Sequence, residues 1–138
     1  MTRGPVPAEA IRKATRAADE RGTVLERDFA LRMRLAFIIF CSGVTIFVKV
    51  RRSRHHLMDP EECGADFRTD VMELRRIPLT DVTARELWLL SPWGTWQYFR
   101  VLDVRLVEIR SNGTPLLQEG VRILVTPPGE TAPPVYPV

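Results

Sequence analysis

Several residue types that carry common chemistry are scarce in this chain of 138 residues. Cysteine occurs only at Cys41 and Cys63, and histidine only as the adjacent pair His55 and His56. The two cysteines stand far apart, form no metal-spacing pair, and accompany an N-terminus without an apolar targeting core. We therefore expect both thiols to be reduced and buried in a cytoplasmic protein.

Sequence motifs of the familiar catalytic chemistries are also absent. The chain has no phosphate-binding loop, no GxGxxG, no GxSxG and no CxxC. Neighbouring side chains diverge on an extended chain, so His55 and His56 are poorly placed to share one metal ion. The sequence therefore predicts no metal, no cofactor and no small-molecule substrate.

The length and the charge set broad bounds. The chain is long enough for one domain with a sizeable core. Its net charge is +3 and its pI is near 9.3, which permits an anionic partner without demanding one. We expect a single domain over residues 1–126 and a loose tail over 127–138, where five prolines in twelve residues forbid regular structure.

The chain is organised around an apolar stretch at 35–54. Two runs rich in β-branched and aromatic residues, 35–40 and 44–50, flank Ser42 and Gly43. This pattern predicts a β-hairpin, covered on both faces, with Gly43 at positive φ in the turn. The rival interpretation is a membrane-spanning helix, because the 14 residues at 35–48 carry no charge. A span needs about 20 apolar residues, so we prefer the hairpin and expect no membrane association.

The segments around the hairpin predict two helices and further strands. Residues 8–21 favour a helix that ends at Gly22. Asp59 is placed to cap a second helix over 60–76, in which Cys63, Phe67, Val71 and Leu74 share one face. Extended segments are expected within 23–34 and at 85–90, 95–101, 104–109 and 121–126. The predicted fold class is α/β (α+β), with a mixed central sheet and a central hairpin flanked by two helices.

This order of elements resembles that of the restriction-endonuclease-like nucleases, and within them the archaeal Holliday junction resolvases. The stretch Val-Thr-Ile-Phe-Val-Lys-Val-Arg-Arg-Ser at 44–53 looks like the second hairpin strand of that family, which carries a Glu-x-Lys triplet. Leu-Ala-Phe-Ile-Ile-Phe at 35–40 looks like the first strand, which begins with a metal-binding aspartate. The resemblance implies a restriction-endonuclease-like fold.

The chain departs from this family at the residues that would carry its chemistry. An ungapped alignment places Ala36 at the aspartate, Lys49 at the glutamate and Arg51 at the lysine. The family mechanism needs carboxylates to hold a divalent metal ion that activates water. These positions hold none, so we expect no metal-dependent cleavage by that mechanism and assign no catalytic residue.

A basic strand end with an aromatic turn is the candidate binding surface. Its residues are Lys49, Arg51, Arg52, Arg54, His55, His56 and Trp93. Cations at a strand end can bind phosphates, with an affinity that falls as salt rises. The alternative is a solvated strand end paired with Glu61, Glu62 or Asp66. Trp93, in a Pro-Trp-Gly turn, is expected to be exposed and to stack on a base or to anchor a protein partner.

Three functions follow from these patterns. The first is a non-catalytic nuclease-like domain that binds DNA or RNA through the basic strand end. The second is a protein-interaction module that forms a homodimer and has no nucleic-acid role. The third is an active nuclease with an atypical site built from Glu26, Asp28 or Glu86.

Overall fold

The computed structural model describes residues 8–26 and 35–116, which form three helices and six strands. The predicted strand at 121–126, the tail at 127–138 and most of the 23–34 segment lie outside the described residues. In chain order the elements are α1 (Ala8–Arg21), β1 (Thr23–Glu26), β2 (Phe37–Cys41), β3 (Val44–Arg52), α2 (Pro60–Asp66), α3 (Arg68–Arg75), β4 (Thr83–Leu90), β5 (Trp96–Val101) and β6 (Leu106–Ile109).

The central apolar stretch is a β-hairpin, as predicted. β2 and β3 pair antiparallel, from Phe37 opposite Val48 to Cys41 opposite Val44. Ser42 and Gly43 both have positive φ, 49° and 82°, which is the backbone that a two-residue hairpin turn requires. In the part of the chain that the structure describes, no helix is long and apolar enough to cross a membrane.

The six strands form one mixed sheet in the order β1-β2-β3-β4-β5-β6. β3 and β4 run parallel, and every other neighbouring pair is antiparallel. The chain reaches β4 from β3 through α2 and α3, because a parallel connection must cross from one end of the sheet to the other. The α/β (α+β) class with a mixed sheet is therefore confirmed. The carboxyl ends of β3 and β4 meet at one edge, where Arg52 lies opposite Leu90.

Helices cover both faces of the sheet. On one face α1 packs through three buried alanines, Ala10, Ala14 and Ala18, whose small size brings the helix close to β2 and β3. The chain turns directly from α1 into β1 at Gly22, where an added Cβ would lie 2.2 Å from the carbonyl oxygen of Phe40. Glycine is therefore required there by the close approach of the two backbones.

The opposite face is covered by α2 and α3. The four residues expected on one helix face, Cys63, Phe67, Val71 and Leu74, are all buried against the sheet. Asp59 begins α2 with the expected capping box: its carboxylate accepts from the Glu62 N–H at 2.8 Å, and the Glu62 side chain accepts from the Asp59 N–H. Cys63 and Cys41 are both buried, and neither forms a disulfide.

The single helix predicted over 60–76 is instead two. Phe67 interrupts it with φ −113° and ψ 34°, although its N–H still donates to the Cys63 carbonyl at 2.9 Å. That backbone departs from helical geometry at one residue, which separates α2 from α3. The side chains predicted to share one helical face are nevertheless buried both before and after Phe67, so only the continuity of the helix was predicted wrongly.

Candidate functional site

The basic end of β3 divides between the interior and the surface. Side chains alternate across a strand, so Lys49 and Arg51 share the face that α3 covers, while Val48 and Val50 face α1. Lys49 is only 2 % exposed, and its Nζ lies 3.1 Å from Asp70 Oδ1 and also pairs with Glu73. Arg51 Nε donates to the same Asp70 oxygen at 3.0 Å.

The predicted binding surface therefore loses two members. Lys49 and Arg51 were expected to face a phosphate backbone, but the Lys49 ammonium group binds Asp70 and Glu73 of α3, and Arg51 Nε binds Asp70. A buried charge is tolerated only when it is paired and hydrogen-bonded, so these cations hold α3 against β3. The acids that pair with them are not the three predicted ones, because Glu61, Glu62 and Asp66 lie on α2 rather than α3.

The rest of the basic run reaches the surface. Arg52 is half-exposed, and one of its guanidinium nitrogens lies 3.7 Å from a Glu9 carboxylate oxygen of α1. Arg54, His55 and His56 are exposed. His55 Nε2 lies 3.4 Å from Asp66 Oδ2, which is one of the acids expected to pair with this run.

Hydrogen bonds hold the segment that carries these side chains. The Ser53 N–H donates to the Leu90 carbonyl at 2.8 Å, and the Ser53 hydroxyl both accepts from the His55 N–H and donates to the His55 carbonyl. The buried Gln97 amide of β5 clamps the backbone of Met58, accepting from its N–H and donating to its carbonyl, each at 2.9 Å. The segment after β3 is thus fastened at both ends to the sheet.

Trp93 lies on the neighbouring turn, which follows β4. Its side chain is 70 % exposed, as predicted, and its ring meets the His56 ring edge to face with centroids 5.4 Å apart. The Ser91 hydroxyl accepts from the N–H groups of Trp93 and Thr95, and Gly94 supplies the positive φ of 83° that closes the turn. The other aromatic residues of this region are packed inside: Trp88 and Phe99 are fully buried and Tyr98 is half-buried.

These side chains form one surface, here named the cation–tryptophan patch: Arg52, Arg54, His55, His56 and Trp93. It lies at the carboxyl ends of the two parallel strands, the edge at which open α/β sheets commonly bind ligands. The adjacent histidines diverge, one toward Asp66 and one toward Trp93, so they do not form a joint metal site.

The supporting residues Ser53, Ser91 and Gln97 were not among the predicted site residues. Gln97 left one usable signal in the sequence, because it occupies a position in β5 that alternates with Tyr98 and shares its face with Phe99. A polar amide on that apolar face implies a buried partner. The identity of the partner, the Met58 backbone 39 residues earlier, has no local signature.

Glu86, considered above for an atypical catalytic site, is enclosed. Its side chain is fully buried and accepts from Arg21 at 2.6 and 3.1 Å and from the Trp88 indole N–H at 2.9 Å, with Arg100 3.5 Å away. This ionic cluster fastens the end of α1 to the sheet and offers no access to a substrate. The Glu26 side chain and Asp28 lie outside the described residues.

Neither metal ligation nor an activated thiol stands out in the described segments. Across residues 8–26 and 35–116, no three His, Cys, Asp or Glu side chains are grouped to hold a metal ion. Burial, followed by the negative charges of Asp66, Glu108 and Asp70, raises the pKa of the Cys63 thiol to about 12. A thiol with that pKa stays protonated at neutral pH and is a poor nucleophile.

The geometry therefore offers an exposed group of basic and aromatic side chains at the carboxyl ends of β3 and β4, and this group is the candidate binding surface. Comparison of the chain with protein-family models, with curated proteins and with solved structures finds no match.

Proposed function

We propose that this protein is a non-catalytic domain that binds nucleic acid through the cation–tryptophan patch. One observation carries the proposal: an exposed indole, held on a hydrogen-bonded turn, contacts His56, and the residues just before His56 include the exposed Arg52 and Arg54 at the same edge of the sheet. Cations that contact phosphates together with an aromatic ring that stacks on bases are the usual components of nucleic-acid surfaces.

The resemblance to restriction-endonuclease-like nucleases supports this proposal without supplying a mechanism. The resemblance is based on a helix, a hairpin, a helical segment and further strands in that order, and the described elements include these with β1 between the first helix and the hairpin. Ala36 lies beside β3, donating its N–H to Val48 at 2.8 Å, next to Lys49. Where the family would hold a metal ion with carboxylates from the strands, this chain has Ala36 and two cations paired to α3.

The salt dependence of binding tests the proposal. We expect a labelled nucleic acid to bind in fluorescence anisotropy at low ionic strength, with log affinity falling linearly as log salt rises. The double variant Arg52→Ala, Arg54→Ala should fold normally and bind more weakly. Its slope should be shallower by about 0.7–0.9 for each lost phosphate contact.

A matched control removes two equally exposed arginines elsewhere. Arg76 and Arg105 lie at the opposite end of the sheet, beside the start of β4, where Arg85 ties the neighbouring backbone and Asp103 together. Arg76→Ala, Arg105→Ala changes the net charge by the same amount and should leave the slope nearly unchanged. Equal losses in both double variants would indicate nonspecific attraction. Wild-type protein that binds no nucleic acid at low salt would favour the interaction-module alternative.

A further inference from the structure

The patch combines its cations with acidic neighbours. Arg52 is 3.7 Å from Glu9, at the start of α1, and His55 is 3.4 Å from Asp66, at the end of α2. Because α1 and α2 cover opposite faces of the sheet, acidic side chains flank the patch on both sides. One phosphate backbone can lie between these acids, whereas the second backbone of a duplex would approach them and be repelled.

The aromatic component points in the same direction. Trp93 projects from a turn in which the Ser91 hydroxyl fixes two N–H groups, so its ring is presented without being packed into the core. Inside a duplex each base is already stacked on its neighbours and cannot offer a free face to the indole. An unpaired base can, and stacking on an aromatic ring tolerates any base sequence.

The shape of the patch does not suit the recognition of base edges in the groove of a duplex. The major groove of DNA admits a helix or a two-stranded ribbon, whose side chains then reach the base edges. Here the exposed groups stand on the last residue of β3 and on two short connections, residues 53–58 and 91–95, at the edge of the sheet. Neither connection is a projecting helix or ribbon.

Building on the proposed function, we infer that the cation–tryptophan patch binds single-stranded DNA or RNA in preference to duplex, with one base stacked on Trp93 and the adjoining phosphates on Arg52 and Arg54. Glu9 and Asp66 act against the duplex by keeping a second backbone away.

The experiment measures the anisotropy of one labelled strand of about 12 nucleotides, alone and annealed to its complement, a length within the range that one small domain binds. The RNA of the same sequence forms a second arm. Wild-type protein should bind the single strands at least about 5-fold more tightly than the duplex, because a base stacked on the indole contributes about 5- to 150-fold in affinity and a duplex cannot supply it. Trp93→Ala should lower single-strand affinity by a factor in that range and leave duplex affinity within about 2-fold.

Two further variants test whether the preference for single strands depends on the aromatic ring of Trp93. Trp93→Phe keeps an aromatic face and should retain most of the single-strand preference. Val104→Ala shortens another exposed apolar side chain, at the opposite end of the sheet, and should change neither affinity. Thermal unfolding of each variant should match the wild type, since neither side chain is part of the core.

The possible failures are distinguishable. Equal wild-type affinity for single strand and duplex, with the salt slope still dependent on Arg52 and Arg54, would overturn the single-strand inference and leave the proposed function standing. The same holds if Trp93→Ala weakens both forms equally. Absence of binding to either form at low salt would overturn the proposed function and this inference with it.

Discussion

Lys49 and Arg51 lie on the face of β3 that α3 covers, whereas Arg52 and Arg54 lie at and beyond the end of the strand, toward solvent. The four cations are neighbours in the sequence, yet the first two are paired with buried acids and the last two remain at the surface. The difference arises because strand alternation selects the face, and the packing of α3 then supplies carboxylates to one face only.

The inner cations, Lys49 and Arg51, and the outer cations, Arg52 and Arg54, therefore have different physical roles. A buried ion pair contributes little net stability when it is complete, but removing one partner leaves an uncompensated charge in the interior. An exposed pair such as Arg52 with Glu9 contributes about 0–1 kcal/mol and is screened by salt. The inner cations therefore maintain the fold, and the outer ones are available for a ligand.

Removing the inner cation should have the largest effect. We expect Lys49→Ala to lower the free energy of unfolding by about 3–5 kcal/mol, because the Asp70 and Glu73 carboxylates lose the ammonium group that they bind. Urea denaturation measures the change. Arg54→Ala is the matched control from the outer pair and should change stability by no more than about 0.5 kcal/mol. If both variants unfold at the same urea concentration, the distinction between inner and outer cations is wrong.

Loosening the support of the outer cations should have an intermediate effect. Gln97→Ala removes both hydrogen bonds to the buried Met58 backbone and should lower stability by about 1–3 kcal/mol. Hydrogen exchange should accelerate at the Met58 amide, while the amide of Leu87, in the middle of β4, is the internal control. Binding to the cation–tryptophan patch should weaken as well, because residues 53–58 are no longer held in place. Unchanged exchange at Met58 would show that another contact fastens this segment.

The smallest expected effect concerns Glu108, whose carboxylate accepts from Gln97 at 3.3 Å. Burial raises the pKa of Glu108, and the hydrogen bond from Gln97 opposes only part of that rise. The pKa of Glu108 is higher in the folded protein than in the unfolded chain, so the protonated carboxyl group stabilises the fold. This stabilisation is fully present below the pKa of the unfolded chain and is lost as pH rises through the pKa of the folded protein. The wild-type protein therefore loses this stabilisation as the pH rises above the ordinary glutamate range.

The Glu108→Gln variant carries an uncharged side chain at this position at every pH. It should raise the melting temperature slightly at pH 7, because burial disfavours the charged form of Glu108. Melting temperatures of both proteins across about pH 4 to pH 8 should diverge as pH rises from the ordinary glutamate range. The exposed acid Glu61 provides the control variant, Glu61→Gln, which should show no such divergence. A lower melting temperature for Glu108→Gln at pH 7 would mean that the charged carboxylate stabilises Gln97 and, through it, the outer cations.

Local features of the sequence were sufficient to predict several elements. Ser42 and Gly43 between two β-branched runs specified the hairpin, because few residues other than glycine adopt positive φ without strain. Asp59 and Glu62 specified the start of α2, because both halves of a capping box lie within one helical turn. The spacing from Cys63 to Leu74 predicted the buried helical face correctly, although it did not reveal the break at Phe67.

The candidate site was predicted only in part, because some of its contacts join residues that are far apart in the sequence. Sequence alone determined the basic run, the exposed position of Trp93 and the alternation that separates Lys49 from Arg52, all of which depend on neighbouring residues. Tertiary structure decided that α3 brings Asp70 onto Lys49 and that a parallel β3–β4 pair brings Trp93 beside His56. Those contacts join residues that are 20 or more positions apart in the sequence. A contact between two such distant segments leaves no periodic pattern in the sequence of either segment.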